Sequence, residues 1–262
     1  MFLGLAAVAI FSMNAAHGFF PGDHAGARWG RFACQSIGPL LLIIGSRWLM
    51  TRDGLHPDQL GLANGARSGT AFLIGAALAT LHMLALLIGI YLIAPFELIR
   101  GPLAGSDVAF AGLGYLTGNF AEELLFRGYL LILLARWIGT TRALWSLALP
   151  FGLFHFPGLD LLSLGKMVLT TGAMHFVYGY AFLATRSLWA AVALHAVGNT
   201  LLHSVFGTGG PGYLSFRYST EFPTAVDAPF LLFLTITAAL ACLLARLAAT
   251  RGGAAWLERP LR

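Results

Sequence analysis

The sequence predicts an all-α fold: a polytopic transmembrane helical bundle of about eight spans with a central polar cavity. Hydrophobic residues make up 58% of the 262 residues and charged residues only 10%, with a mean hydropathy of +0.77. A soluble domain carries roughly 25% charged residues. The apolar residues also fall in runs that suit membrane helices, each of which needs about 20 residues to cross the bilayer core. No second domain is indicated, so we expect one integral membrane domain over residues 1–262.

Eight apolar segments are predicted to be spans. The first, residues 1–20, lacks a charged leading region, which favours a retained span over a cleaved signal. The run 108–138 is longer than a bilayer requires, so it is expected to tilt or to extend past the interface. The other six spans are predicted at residues 31–50, 69–94, 143–156, 161–185, 188–206 and 228–249.

Four polar segments connect or follow these spans. Residues 51–68 are long enough for an interfacial helix. Residues 95–107 and 207–227 are predicted to be loops, the second one near the membrane interface. Residues 251–262 are predicted to be a short basic tail, and Pro157-Gly158 is expected to end the fifth span.

The charge of the chain indicates orientation rather than nucleic-acid binding. The formal net charge is +5, from 16 Lys+Arg against 11 Asp+Glu, and no basic cluster is dense enough to follow a phosphate backbone. With eight spans, ten basic residues lie on the side of the termini and five on the other. Because basic residues favour the cytoplasmic side, both termini are expected in the cytoplasm. The Arg-, Ala- and Gly-rich composition favours a bacterial inner membrane.

Three charged residues, Glu122, Glu123 and Arg127, interrupt the run 108–138. A charge at the bilayer centre costs about 2.5–3.5 kcal/mol or more, so such residues are rare and usually functional. Glu123 and Arg127 are four apart and share a helix face, which predicts a bracing ion pair. Glu122 lies about 100° further round the helix. It is therefore expected to face a cavity as a candidate general base.

Two later spans carry polar side chains at the same spacing. His155 follows Phe151 by four residues, and Asn199 follows His195 by four. Lipid offers these groups no hydrogen-bond partners. If these side chains converge with Glu122 on one water-filled cavity, all of them can form hydrogen bonds there.

This set of residues suits hydrolysis of a peptide bond. Glu122 with His155 can bind and deprotonate a water molecule. His195 and Asn199 can donate hydrogen bonds to the oxyanion, which contribute about 2.7–4 kcal/mol per donor. Alternatively, Glu122, His155 and His195 ligate a divalent metal such as zinc. The absence of a His-Glu-x-x-His motif favours the first interpretation, without a cofactor.

A non-enzymatic interpretation also stays open: a transporter or scaffold whose buried polar groups carry protons. In that case the buried polar groups would lie one after another along the bilayer normal. A hydrolytic site needs Glu122, His155, His195 and Asn199 within reach of one water site.

The three motifs together resemble those of the CPBP family, which is also called Abi and includes the CAAX prenyl protease type 2 enzymes. The motifs are Glu122-Glu123-xxx-Arg127, Phe151-xxx-His155 and His195-xxx-Asn199, and the resemblance covers residues 106–203. It implies an intramembrane endopeptidase that acts near the C-terminus of a membrane-anchored or lipidated protein or peptide. In the roles it implies, Glu122 is the base, His155 its partner on the water, and His195 with Asn199 the oxyanion donors. Glu123 and Arg127 organise the site.

Overall fold

The computed structural model describes residues 2–20, 25–63, 65–155, 161–208, 210–219 and 227–259, and these form a helical bundle. Two short strands, β1 (Phe96–Arg100) and β2 (Leu214–Tyr218), accompany the helices, together with a 3₁₀ turn (Pro57–Leu60) and a π-helical turn (Thr200–Val205). The all-α class is confirmed. The helices are α1 (Phe2–Phe19), α2 (Ala25–Arg52), α3 (Ala66–Ile93), α4 (Gly105–Arg127), α5 (Tyr129–Ile138), α6 (Thr140–Phe154), α7 (Leu161–Thr185), α8 (Leu188–Asn199), α9 (Ala228–Thr250) and α10 (Gly253–Leu257).

The outer surface of the bundle is suited to lipid. Large apolar side chains point outward on the long helices; Leu73 is 69% exposed and Leu92 is 77% exposed. Contiguous apolar surface of this kind is rare on soluble proteins. The protein is therefore an integral membrane protein, while the number of eight spans stays a prediction. Within the described ranges, the helices long and apolar enough to cross a membrane are Ala25–Arg52, Ala66–Ile93, Leu162–Thr185, Leu188–Val205 and Ala228–Thr250.

Helix α8 lies at the centre of the bundle, packed against α3, α4 and α7. Alanines at positions 190, 191, 193 and 196 are all buried and give the helix a narrow surface. At Gly75 on α3, a Cβ atom would lie only 2.1 Å from the carbonyl oxygen of Ala190. Small residues on both sides therefore let the two backbones approach closely. This packing carries His195 into the interior.

The run 108–138, predicted to be one long span, is two helices divided at Gly128. The Gly128 amide donates to the carbonyl oxygens of Glu123 (3.2 Å) and Leu124 (3.1 Å). A Cβ atom here would lie 2.2 Å from the Leu124 oxygen, so the break depends on glycine. After the break, α5 packs against α6, whereas α4 packs against α8. The single-helix prediction was wrong because the hydropathy stays apolar through the glycine.

The segments 95–107 and 207–227, predicted to be loops, contribute β1 and β2. These strands pair antiparallel, with Phe96 opposite Tyr218. The rings of Phe96 and Phe216 meet edge to face with centroids 4.8 Å apart. The loop prediction was wrong at both strands, because five residues between glycines and prolines are too few to reveal a period of two.

The C-terminal segment 251–262, predicted to be a basic tail, instead begins with a helix that docks on the bundle. Helix α10 lies against α5, α6, α7 and α9. Fully buried Gln59 donates from Nε2 to the carbonyl oxygen of Trp256 at 2.9 Å. Gln59 belongs to the 3₁₀ turn, which lies between α2 and α3. This turn stands where the sequence suggested an interfacial helix. The end of α2 and helix α10 therefore lie on the same side of the bundle.

Candidate active site

Glu123 and Arg127, one turn apart at the end of α4, form a fully buried ion pair. Arg127 Nη1 donates to Glu123 Oε1 at 3.2 Å, and both side chains are 0% exposed. The guanidinium also lies 4.3 Å from the centroid of the Phe151 ring. A buried charge without a partner costs several kcal/mol, so each member of the pair keeps the other in place.

His195 on α8 completes this cluster from the opposite side. Its Nδ1 lies 2.8 Å from Glu123 Oε1, so the same carboxylate oxygen serves both His195 and Arg127. Because an ionised carboxylate only accepts hydrogen bonds, Nδ1 carries the proton. The other ring nitrogen, Nε2, is then left to face Glu122, whose Oε2 is 4.0 Å away.

His155 closes the end of α6 as its C-terminal cap. Its Nδ1 lies 2.8 Å from the carbonyl oxygen of Phe151, one turn earlier, so Nδ1 carries a proton and donates it there. Its Nε2 lies 3.3 Å from Glu122 Oε2. The predicted stop at Pro157-Gly158 lies outside the described residues.

Three acceptor atoms thus converge between α4, α6 and α8: Glu122 Oε2 and the Nε2 atoms of His155 and His195. All three lie within 4.8 Å of one another. Glu122 Oε2 is buried and has no hydrogen-bond partner among the described residues. Lone pairs that face each other at this range repel unless a proton, a water molecule or a cation lies between them. When ionised, Glu122, Glu123 and Arg127 sum to one negative charge, so a single additional proton would neutralise the site.

Two cavities adjoin the site, and Glu122 lines only the smaller of them. A cavity of about 520 Å³ has His155, His195 and Asn199 in its wall, along with Tyr178. Asn199 lies one turn beyond His195, and the structure gives its side chain no hydrogen bond to the described residues. Glu122 itself borders a smaller cavity of about 160 Å³, whose other walls are apolar residues of α1, α2, α4 and α6.

The three acceptor atoms are also of the types that bind a divalent metal, and one pair of them has the required spacing. Zinc bonds to nitrogen and oxygen of about 2.0–2.2 Å place tetrahedral ligand atoms about 3.4 Å apart. Glu122 Oε2 and His155 Nε2 are 3.3 Å apart. Both histidines are also held through their other nitrogen, by the Glu123 carboxylate and by a backbone carbonyl, as metal-ligating histidines usually are.

Two residues of α7, His175 and Tyr178, lie at the site, although the sequence did not assign them to it. The Tyr178 ring stacks on the His195 ring with centroids 4.3 Å apart. His175 Nδ1 accepts from Arg127 Nη2 at 2.9 Å. The two residues are three apart and so share a helix face, but no spacing in the sequence connects that face to α4.

Comparison with known proteins bears on the same segment. Residues 104–201 match the family model described as type II CAAX prenyl endopeptidase Rce1-like. The match covers just over a third of the chain, from the residue before α4 to the residue after Thr200, and it contains all three motifs. No curated protein matches the chain. The predicted resemblance to the CAAX proteases is therefore confirmed for residues 104–201, which are similar to the Rce1-like type II CAAX prenyl endopeptidases.

Proposed function

We propose that this protein is an intramembrane endopeptidase that hydrolyses a membrane-proximal peptide bond near the C-terminus of a lipidated or membrane-anchored protein. The observation that carries the proposal is the convergence of Glu122 Oε2 with the Nε2 atoms of His155 and His195 inside a membrane bundle. The family description of residues 104–201, that of an endopeptidase, supports the same chemistry. The cavity of about 520 Å³ beside the histidines offers space for an extended peptide.

In this mechanism, Glu122 and His155 activate the water molecule. The water donates one hydrogen bond to Glu122 Oε2 and one to His155 Nε2, which leaves its oxygen free to attack. Two such bonds of about 2.8 Å span about 4.5 Å. The two side chains, 3.3 Å apart in the free protein, therefore separate by about 1 Å when water enters. Glu122 takes the water proton as the oxygen bonds to the carbonyl carbon, and it passes that proton to the amide nitrogen as the C–N bond breaks.

His195 and Asn199 stabilise the oxyanion. The Asn199 amide donates directly. His195 already gives its Nδ1 proton to Glu123, so it donates from Nε2 only as an imidazolium ion. Each donor of this kind contributes about 2.7–4 kcal/mol to transition-state stabilisation.

The substrate is identified by comparing protein C-termini in cells that carry the wild type, Glu122→Gln or the control Glu97→Gln. Glu97 lies on β1 with its side chain 71% exposed, far along the chain from the site. We expect a membrane-anchored protein to accumulate uncut with Glu122→Gln and to be processed with the other two. Equal processing in all three cells would refute Glu122 as the base.

A metal-assisted form of the same hydrolysis is the second candidate, favoured by the 3.3 Å spacing of Glu122 Oε2 and His155 Nε2. Glu122, His155 and His195 would hold the ion, which when bound acidifies a water molecule. Asn199 would then be left as the side-chain donor to the oxyanion, because His195 would give its Nε2 lone pair to the ion.

Chelation distinguishes the two forms. We expect the purified protein to keep its activity after a chelator has removed all bound metal, as verified by elemental analysis. The reason is that Glu122 acts directly on the water molecule. Loss of activity that zinc restores would establish the metal-assisted form instead.

The geometry favours hydrolysis over the competing transporter or scaffold. A proton path needs groups spaced along the bilayer normal, whereas the three acceptor atoms lie within 4.8 Å of one another. We further propose a bacterial inner membrane location with both termini in the cytoplasm. Packing supports a common side for the termini, because the turn after α2 binds α10 and the α1–α2 hairpin returns the start of α1 to that side.

A further inference from the structure

His175 on α7 is a buried histidine whose two ring nitrogens are both engaged. Nε2 lies 3.1 Å from the carbonyl oxygen of Leu144, and Nδ1 lies 2.9 Å from Arg127 Nη2. The side chain is 0% exposed. A carbonyl only accepts and a guanidinium only donates, so the His175 proton is on Nε2 and its Nδ1 is bare. The ring is therefore neutral and confined to one tautomer.

The His175 ring determines the orientation of the Arg127 guanidinium group. Arg127 Nη2 donates to His175 Nδ1 and also to the His175 backbone oxygen at 3.1 Å. With Nη2 engaged, Nη1 points at Glu123 Oε1. The rings of Phe151 and Tyr178 lie 4.3 Å and 5.3 Å from the guanidinium carbon. The guanidinium thus has one preferred orientation, in which His175 is the acceptor that keeps Nη2 away from Glu123.

The series of hydrogen bonds continues from Arg127 to the histidine of the proposed active site. Glu123 Oε1 accepts from Arg127 and from His195 Nδ1. The His195 proton on Nδ1 leaves Nε2 directed at Glu122. The series of contacts therefore runs without a gap from the Leu144 carbonyl oxygen through His175, Arg127 and Glu123 to His195.

We propose that His175 is a positioning residue: by holding Arg127, it keeps the shared Glu123 oxygen on His195 Nδ1 and so keeps His195 Nε2 facing Glu122. It touches neither the water site nor the substrate. Its effect on catalysis rests on the proposed function, whereas its effect on the His195 tautomer does not. The charged group that contacts His175 is Arg127 on α4, and Glu123 and His195 follow it in the series of contacts.

Two substitutions separate positioning from packing. In His175→Gln, the side-chain oxygen can accept from Arg127 and the NH₂ can donate to the Leu144 carbonyl, as the neutral ring does. His175→Leu has a similar size and offers neither group. Val177→Ala is the packing control, because Val177 is fully buried on the same helix and lies outside the hydrogen-bond series.

Activity is measured with a fluorogenic, farnesylated peptide that ends in a CAAX tail. Loss of a residue that orients an active-site ligand typically costs about 10- to 100-fold in activity. We expect a loss of that size in kcat for His175→Leu, with little change in KM and an altered pH profile. His175→Gln should stay within about threefold of the wild type with the wild-type pH profile. Equal losses in His175→Leu and Val177→Ala at equal thermal stability would reduce His175 to a packing residue.

Nitrogen NMR of ¹⁵N-histidine-labelled protein tests the inference without any substrate. The chain has eight histidines, and the His195 signals are assigned by their loss in a His195→Asn variant. We expect His195 to be protonated at Nδ1 in the wild type and in His175→Gln, and to exchange between tautomers in His175→Leu. A His195 ring protonated only at Nε2 in the wild type, or an unchanged ring in His175→Leu, would overturn the inference. If the wild type leaves the peptide uncut, that substrate is refuted and the NMR result alone decides the role of His175.

Discussion

Glu122 and Glu123 are adjacent and chemically identical, but their different surroundings give the two carboxylates different roles. Glu123 is 0% exposed and accepts from two donors, whereas Glu122 is 21% exposed and faces two acceptors. The 100° rotation between neighbouring helix positions predicts this division from sequence alone. The bond from His195 to Glu123 could not be predicted, because it joins residues 72 apart that meet only through packing of α4 and α8.

The division predicts different stabilities for two isosteric variants. Glu123→Gln leaves the Arg127 charge buried without its counter-ion, a loss that typically costs about 3–5 kcal/mol. Glu122→Gln removes a carboxylate whose Oε2 has no hydrogen-bond partner in the described structure, so the loss should be much smaller. Denaturant unfolding of the detergent-purified proteins measures both. Equal destabilisation would show that the two carboxylates share one structural role.

Among the elements, α7 and α4 show what the sequence can and cannot predict. The span at 161–185 was predicted at the bounds that the structure has, because polar or turn-forming residues flank both of its ends. The break between α4 and α5 was missed, because its cause is a close approach of backbone atoms at Gly128. Hydropathy records how apolar a residue is and carries no information on that contact.

The break predicts that Gly128→Ala is harmful. The new Cβ atom would meet the Leu124 oxygen, and overpacking of this kind costs about 1–3 kcal/mol. Because Gly128 adjoins Arg127, the shift should also lower activity. Gly165→Ala on α7 is the matched control, since nothing lies within 4 Å of its added Cβ atom. Thermal unfolding and peptide cleavage should change for the first variant only; equal behaviour would mean that the break tolerates a side chain.

At the scale of the whole molecule, the bundle brings together three short motifs that are far apart in the sequence. Helix α8 makes this possible, because it packs against α4 on one side and α3 and α7 on others. The motifs predict the candidate site residues, and the family match over residues 104–201 confirms the resemblance that the motifs carry. The tautomers, the two cavities and the contribution of α7 depend on three-dimensional packing, so they required the structure.

The most direct test of the central claim, that Glu122 activates water for peptide hydrolysis, is cleavage of the farnesylated CAAX peptide by protein reconstituted in lipid vesicles. General-base catalysis contributes about 10²–10⁴ in rate. We predict a loss of kcat of that size for Glu122→Gln, with folding retained and wild-type activity for the exposed control Glu97→Gln. Wild-type activity in Glu122→Gln would contradict the account.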